Sequence, residues 1–323
     1  MNRLTATAAS AAALFLLAGP CFAETIFVSN EKDNTITVID GKTLQMIKTI
    51  PTDRRPRGIV LSPDFKELFV AAGDGDTMDV IDTKTLKKSR ELDSGPDPEL
   101  MAIDPKGDKI YIANEDDSLV TIMDIKSGDV LGEVPVGVEP EGMVVSPDNK
   151  YTVATSESTS MAHVIDNSTM KLVANVLVDS RPREAKFTAD GSQLWVSSEV
   201  GGSISVIDPK TWKVIKKIRF QVPGVRPELL QPVGMEFTKD GKYVFVALGP
   251  ANRVGVIDTK TLEVVNYILV GQRPWHLEFS PDGSKLYVAN GLTNDMTVID
   301  TASQKAEKSV PVGRLPWGVA VMP

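Results

Sequence analysis

Along almost the whole chain, short apolar runs rich in Val, Ile and aromatic residues alternate with clusters of Asp, Gly, Asn, Pro and Ser. Runs of this kind, bounded by turn residues, predict β-strands, and no segment sustains a helical period. The pattern also repeats. Tripeptides ending in aspartate recur at Val38-Ile39-Asp40, Val80-Ile81-Asp82, Ile122-Met123-Asp124, Val164-Ile165-Asp166, Val206-Ile207-Asp208, Val256-Ile257-Asp258 and Val298-Ile299-Asp300, 42 residues apart except for one interval of 50. Prolines at 56, 98, 140, 182, 232, 274 and 316 keep the same spacing. A third marker, a turn such as Ser62-Pro63-Asp64 or Ser280-Pro281-Asp282-Gly283, joins two strands in each copy.

Each repeat reads as four strands; in the second copy they fall near 58–61, 68–71, 78–81 and 88–92. Four-stranded units at this period predict an all-β, seven-bladed β-propeller. The copies are cut unevenly at the ends, with strands at 26–29 and 35–39 and a lone strand at 318–322. Pairing the last strand with the first ones completes a seventh blade and leaves no open edge.

Hydrophobic content of 42% and charged content of 24% are those of a folding, soluble chain. Residues 1–23 differ: Arg3, the apolar run from Ala11 to Ala18 and the small residue Ala23 predict a cleaved secretory signal peptide. The propeller then spans 24–323, and a periplasmic location is expected. Cys21 is the one cysteine, so the mature chain would have no disulfide, thiol nucleophile or thiolate metal site. The net charge of −8 argues against nucleic acid. No stretch is long and apolar enough to predict membrane insertion.

The Val-Ile-Asp ends, the Ser-Pro-Asp-Gly turns and strands such as Leu286-Tyr287-Val288-Ala289-Asn290 resemble the YVTN family of β-propeller repeats. Seven repeats after a signal peptide look most like the PQQ-dependent catabolism-associated β-propeller proteins. That resemblance implies support of quinoprotein alcohol oxidation, with a periplasmic quinoprotein dehydrogenase or an ABC transporter component as partner. It supplies no catalytic residues.

Chemistry read from the residues is sparse. Only His163 and His276 are present, and there is no haem-attachment motif, phosphate loop or Gly-x-Ser-x-Gly elbow. Asp74-Gly75-Asp76 with Asp79 lacks the glutamate of an EF-hand, Thr85 standing at that offset, and reads as an acidic turn. The recurring Asp40 to Asp300 series reads as structural, each side chain bonding its own turn.

Function is therefore sought where the copies differ. The proline loops open on one face around the axis, which also receives the loop between the second and third strands. Glu99, Glu115, Glu139, Glu141 and Glu157, with Glu184 as a further candidate, form an expected acidic arc. A hard cation would compensate their repulsion, and the resemblance makes calcium or a lanthanide the one to consider; the alternative is a solvated acidic rim. Arg55, Arg57, Arg183 and Arg273, with Trp275, His276 and Trp317, are expected opposite that arc. They suit a flat polycarboxylate such as PQQ, the alternative being ion pairing with neighbouring acids and tryptophan packing between blades. The extra residues near 222–229 lie in a loop on that face, where Arg226 and Glu228 are placed to cover a ligand partly. A binding protein is favoured over a metal-dependent lactonase or lyase, or a purely structural docking platform.

Overall fold

The computed structural model describes residues 24–323, so the expected signal peptide with Cys21 lies outside the described residues. Those residues form seven four-stranded antiparallel sheets arranged as a propeller. Blades are numbered by their innermost strands. Blade 1 has Pro316–Met322 innermost, followed outward by Thr25–Asn30, Thr35–Asp40 and Met46–Pro51; blades 2 to 7 begin at Pro56, Pro98, Pro140, Pro182, Pro232 and Pro274. In blade 2 the strands are Pro56–Leu61, Glu67–Ala72, Thr77–Asp82 and Lys87–Leu92, each at its expected place. The ring closes as expected, with Thr25 paired to Met322 and Val28 to Val319.

The repeated residues build this frame. Asp40, Asp82 and Asp300 each accept a backbone N–H three residues on, from Thr43, Thr85 and Ser303, at 2.7–2.8 Å. Such bonds pin the turn between the third and outer strands. Both faces of the middle strands are apolar because each packs against a neighbouring blade. Phe27, Ile36 and Val38 of blade 1, for example, bury themselves against Leu68, Val70 and Ile81 of blade 2. At about 1.5–3 kcal/mol for each large apolar side chain removed from water, these seams are the main source of stability.

One irregularity positions the site. In blade 2 the register runs Pro56 to Ala72 and then Ile59 to Val70, so two residues after the proline oppose one on the partner strand. The same bulge follows Pro98, Pro140, Pro182, Pro232 and Pro274, and its counterpart in blade 1 lies between Val28 and Asn30 of the partner strand. A bulge bends the strand and re-aims its side chains. The second residue after the proline is glycine in four blades, and there the inner strands nearly touch: a Cβ on Gly58 would lie 2.3 Å from the Glu99 carbonyl oxygen, and one on Gly142 2.0 Å from that of Arg183. Blades 3, 5 and 7 carry Leu100, Glu184 and His276 at this position instead, so large side chains stand between small ones around a tapering axis.

Candidate functional site

The residue before each proline sets up the mouth. Arg55, Asp97, Glu139, Arg181, Arg273 and Leu315 all have left-handed backbone, φ between 44° and 59°, a conformation unusual for residues with a Cβ. Their carbonyls accept the N–H of Gly73, Glu115, Glu157, Glu199, Gly291 and Glu31, at 2.8–3.1 Å. These bonds bring the loop between the second and third strands against the proline loop, as the repeat register predicts. Where that loop residue is glycine, a neighbouring side chain fills the space: Arg55 covers Gly73, Arg273 covers Gly249 and Trp275 covers Gly291.

The expected acidic arc and the expected arginines meet, but they interleave and do not face each other across the mouth. Arg55 reaches Asp97 at 2.5 Å and Glu99 at 2.7 Å, with Glu115 at 3.9 Å. Arg57 bridges Glu99 at 2.8 Å and Glu31 at 3.3 Å. On the other side Arg183 lies 3.0 Å from Glu141 and also pairs with Glu157, while Arg181 joins Glu157 and Glu199, and Arg273 meets Glu199 at 2.6 Å. The carboxylates of blades 3 and 4 are thus flanked by arginines of blades 2 and 5. Glu139 sits apart, accepting a bond from Ser158.

The tryptophans complete this layer. Trp275 and Trp317 stack with centroids 6.4 Å apart, the guanidinium of Arg273 lies 3.9 Å from the Trp275 ring, and Arg57 stands 5.9 Å from Trp317. Each expected quinone-binding arginine is therefore already engaged with a carboxylate, a ring or both. His276 packs on Trp317 with ring centroids 4.0 Å apart.

Burial tunes the acids differently. Glu99 and Glu141 are each pushed up to about 7, because desolvation outweighs the nearby arginines. Glu115 is raised as well, chiefly by burial. Glu199 is also desolvated, yet Arg183, Arg273 and Arg181 hold it below the ordinary range. Asp97, Glu99 and Glu115 each offer an oxygen within 4.8 Å of the others. Glu99 Oε2 is buried and receives no N–H or hydroxyl donor among the described residues, so its contact with the Glu115 carboxyl is a hydrogen bond only when the two share a proton. This trio includes Asp97, which the expected metal set omitted. Glu141 and Glu157 pair with Arg183 instead.

Below this layer lies a second group, only partly foreseen. Lys186 of blade 5 bonds Glu236 of blade 6 and stands 3.8 Å from Glu184, whose other oxygen is 3.9 Å from His276 Nδ1. Glu278 of blade 7 adds a third carboxylate. Lys186, Glu236 and Glu278 occupy the fourth position after their prolines, where the other blades have Val60, Ala102, Val144 and Ala320. That run of charge in an otherwise apolar register was the available signal. Burial raises Glu184 to about 7 and Glu278 to about 8.

Residues outside the axis resolve as structural. His163 accepts the Gly137 N–H at 3.0 Å and contacts Asn175 at 2.6 Å. Arg226 and Glu228 of the extra loop pair with each other in solvent, while Val222 and Val225 anchor that loop against the seam of blades 5 and 6. Gly73–Gly75 forms a short 3-10 turn followed by Asp76, whereas Asp79, expected in the same acidic turn, is buried in the strand Thr77–Asp82, tied to Lys88 at 2.5 Å and to the Asp53 N–H at 2.8 Å.

A family profile described as YNCE-like beta-propeller matches residues 2–114 and 233–323. No curated protein matches the sequence. Among solved structures, the chain is similar to Kuenenia stuttgartiensis hydrazine synthase, at 23% identity and TM-score 0.77, with 86% of this chain and 92% of that one covered. It is similar to dihydro-heme d1 dehydrogenase NirN in complex with DHE, at 18% identity and TM-score 0.68, covering 92% and 74%. A functionally unknown protein from Desulfotomaculum acetoxidans DSM 771 aligns at 16% identity and TM-score 0.79, covering 92% and 98%. Identities this low carry the fold and no activity.

Proposed function

The chain belongs to the YNCE-like beta-propeller family, and from that premise we propose that it is a non-enzymatic periplasmic binding or accessory protein that holds a hard cation, calcium or a lanthanide, at Asp97, Glu99 and Glu115. The observation that carries this reading is the convergence of three carboxylates within 4.8 Å around Glu99, whose buried Oε2 receives no N–H or hydroxyl donor among the described residues and can bond the Glu115 carboxyl only through a shared proton. Carboxylates so close share protons unless a cation replaces them, and oxygen donors are what calcium and its like take. These residues would hold the ion; its charge would neutralise the excess of acid over guanidinium in the mouth.

The sequence resemblance to PQQ-dependent catabolism-associated propellers supports a role beside quinoprotein alcohol oxidation, with a periplasmic dehydrogenase or an ABC transporter component as partner. PQQ itself is the second reading, favoured by the Arg273–Trp275 stack at 3.9 Å, but it must compete with carboxylates for every arginine.

Titration calorimetry on chelator-treated protein tests the proposal, with calcium, lanthanum and PQQ in turn. Saturable metal binding that disappears in Glu99→Gln supports it. PQQ binding without metal binding transfers the site to the arginines, and silence for all three overturns both readings in favour of a protein-docking surface. Lactone turnover that persists through purification and vanishes with Glu99→Gln would make the protein an enzyme.

A further inference from the structure

We propose that the axial channel below the mouth is a second binding site, for a small organic ammonium ion with a short apolar body. The site is a cavity of about 300 Å³ on the propeller axis, and its two halves differ in chemistry. Blades 2 to 4 present an apolar wall, including Ile59, Met101 and Val144, whereas blades 5 and 7 present Glu184, Glu278 and His276. A ligand that fits both halves is amphipathic.

The sign of its head follows from the charges. Three carboxylates, Glu184, Glu236 and Glu278, surround the single ammonium of Lys186. Arg57 and Arg183 in the layer above are held by Glu99 and Glu141, so the further cation that would let all three carboxyls ionise has to come from the ligand. A second, independent observation is that His276 Nε2 and Trp317 Nε1, both in cavity-lining side chains, are buried with no hydrogen-bond partner among the described residues. Burial, with Arg183, Lys186 and Arg57 nearby, depresses His276 to about 3, so its ring is neutral and able to accept from an ammonium N–H. A buried polar atom without a partner is costly, and the N–H of a bound ammonium satisfies the lone pair of His276 Nε2, whereas Trp317 Nε1, a donor, gains nothing from it.

A body rather than a bare ion is implied by the wall, since a hydrated metal gains nothing from Met101 and Val144. The four groups of the polar half also do not converge as the mouth trio does: among the described residues, the trio is the only cluster whose ligand atoms lie within 4.8 Å of one another. The channel and mouth sites are therefore separable.

Calorimetry on the purified protein with n-butylammonium, 1-butanol and potassium tests the inference. The expected result is saturable binding of n-butylammonium, with at least tenfold weaker binding of the neutral alcohol and of potassium. Binding should release protons and strengthen from pH 6 to pH 9, because an ammonium favours the ionised forms of Glu184 and Glu278. It should also perturb the His276 ring signals in NMR spectra. Glu278→Gln, and separately Glu236→Gln to guard against a fold defect in either, should weaken binding at least tenfold while the circular dichroism spectrum is kept. Equal affinity with calcium and with chelator would keep this site distinct from the mouth. Absence of saturable binding, equal binding of 1-butanol, or full affinity in both folded variants would overturn the inference.

Discussion

Arg183 of blade 5 and Glu141 of blade 4 meet at 3.0 Å with side chains only 4% and 2% exposed, an ion pair sealed between two inner strands. In such a place removing one partner strands the other without solvent. Arg183→Leu should therefore cost about 3–5 kcal/mol, read from urea unfolding at pH 7. Adding Glu141→Leu should restore part of that loss, the part due to a stranded Glu141, while Glu157, which Arg183 also pairs with, still lacks its guanidinium. A double variant as weak as the single one would refute this account of the seam.

The raised carboxyls make stability depend on pH with an unusual sign. Glu99, Glu141 and Glu184 stand near 7 and Glu278 near 8, against 4.5 for an ordinary glutamate. Between those values the folded chain binds more protons than the unfolded one, so unfolding free energy falls as pH rises from about 4.5 to about 8. On the acid side, turn aspartates such as Asp64 and Asp148, held near 2 by hydrogen bonds to Lys66 and Lys150, lose their contribution as pH falls through that value. The melting temperature should peak near pH 5 and decline to pH 8.5, and Glu278→Gln should flatten the decline. A level profile across that range would contradict the burial of these acids.

Close approach of the inner strands is testable at one glycine. A Cβ on Gly142 meets the Arg183 carbonyl oxygen at 2.0 Å, a backbone contact that cannot swing away. Gly142→Ala should cost about 1–3 kcal/mol through overpacking. Gly241→Ala, at a turn with φ of +67° and nothing within 4 Å, carries only the left-handed strain of about 1–2 kcal/mol. Thermal denaturation of the two should rank Gly142→Ala lower, and its binding properties should change as well, since Arg183 would move.

The fold was legible because its determinants are local and repeated. The Asp40 to Asp300 turns and the seven prolines fix strand, turn and register within each copy, and seven copies average out the ambiguity of any one. The face of the mouth was legible too, since the backbone bonds between positions such as Asp97 and Glu115 follow the repeat. Pairing was not. Whether Arg57 faces Glu99 of the next blade or a ligand depends on the bulge and on the closeness permitted by Gly58, neither of which has a local signature. Lys186, Glu236 and Glu278 do not flank the prolines; the bulge carries the line of axial side chains deeper, to the fourth position.

Arg55 stands as the built-in competitor of a cation in the mouth. Its guanidinium lies 2.5 Å from Asp97 and 2.7 Å from Glu99, on the carboxylates proposed to hold the ion. Two unit charges 4 Å apart repel by about 4 kcal/mol at an effective dielectric constant of 20, and a divalent ion by more, so even a fraction of that term is large. Arg55→Gln should tighten calcium binding at least tenfold, about 1.4 kcal/mol. Glu99→Gln should remove a ligand oxygen and abolish binding. Lowering the pH from 8 to 6 should weaken binding in the parent protein, since protonation of Glu99 near 7 competes with the metal. Terbium luminescence and calorimetry would read all three. If Arg55→Gln stayed folded and bound calcium more weakly than the parent, the arginine would be organising the carboxylates, and the competition between guanidinium and metal would be refuted.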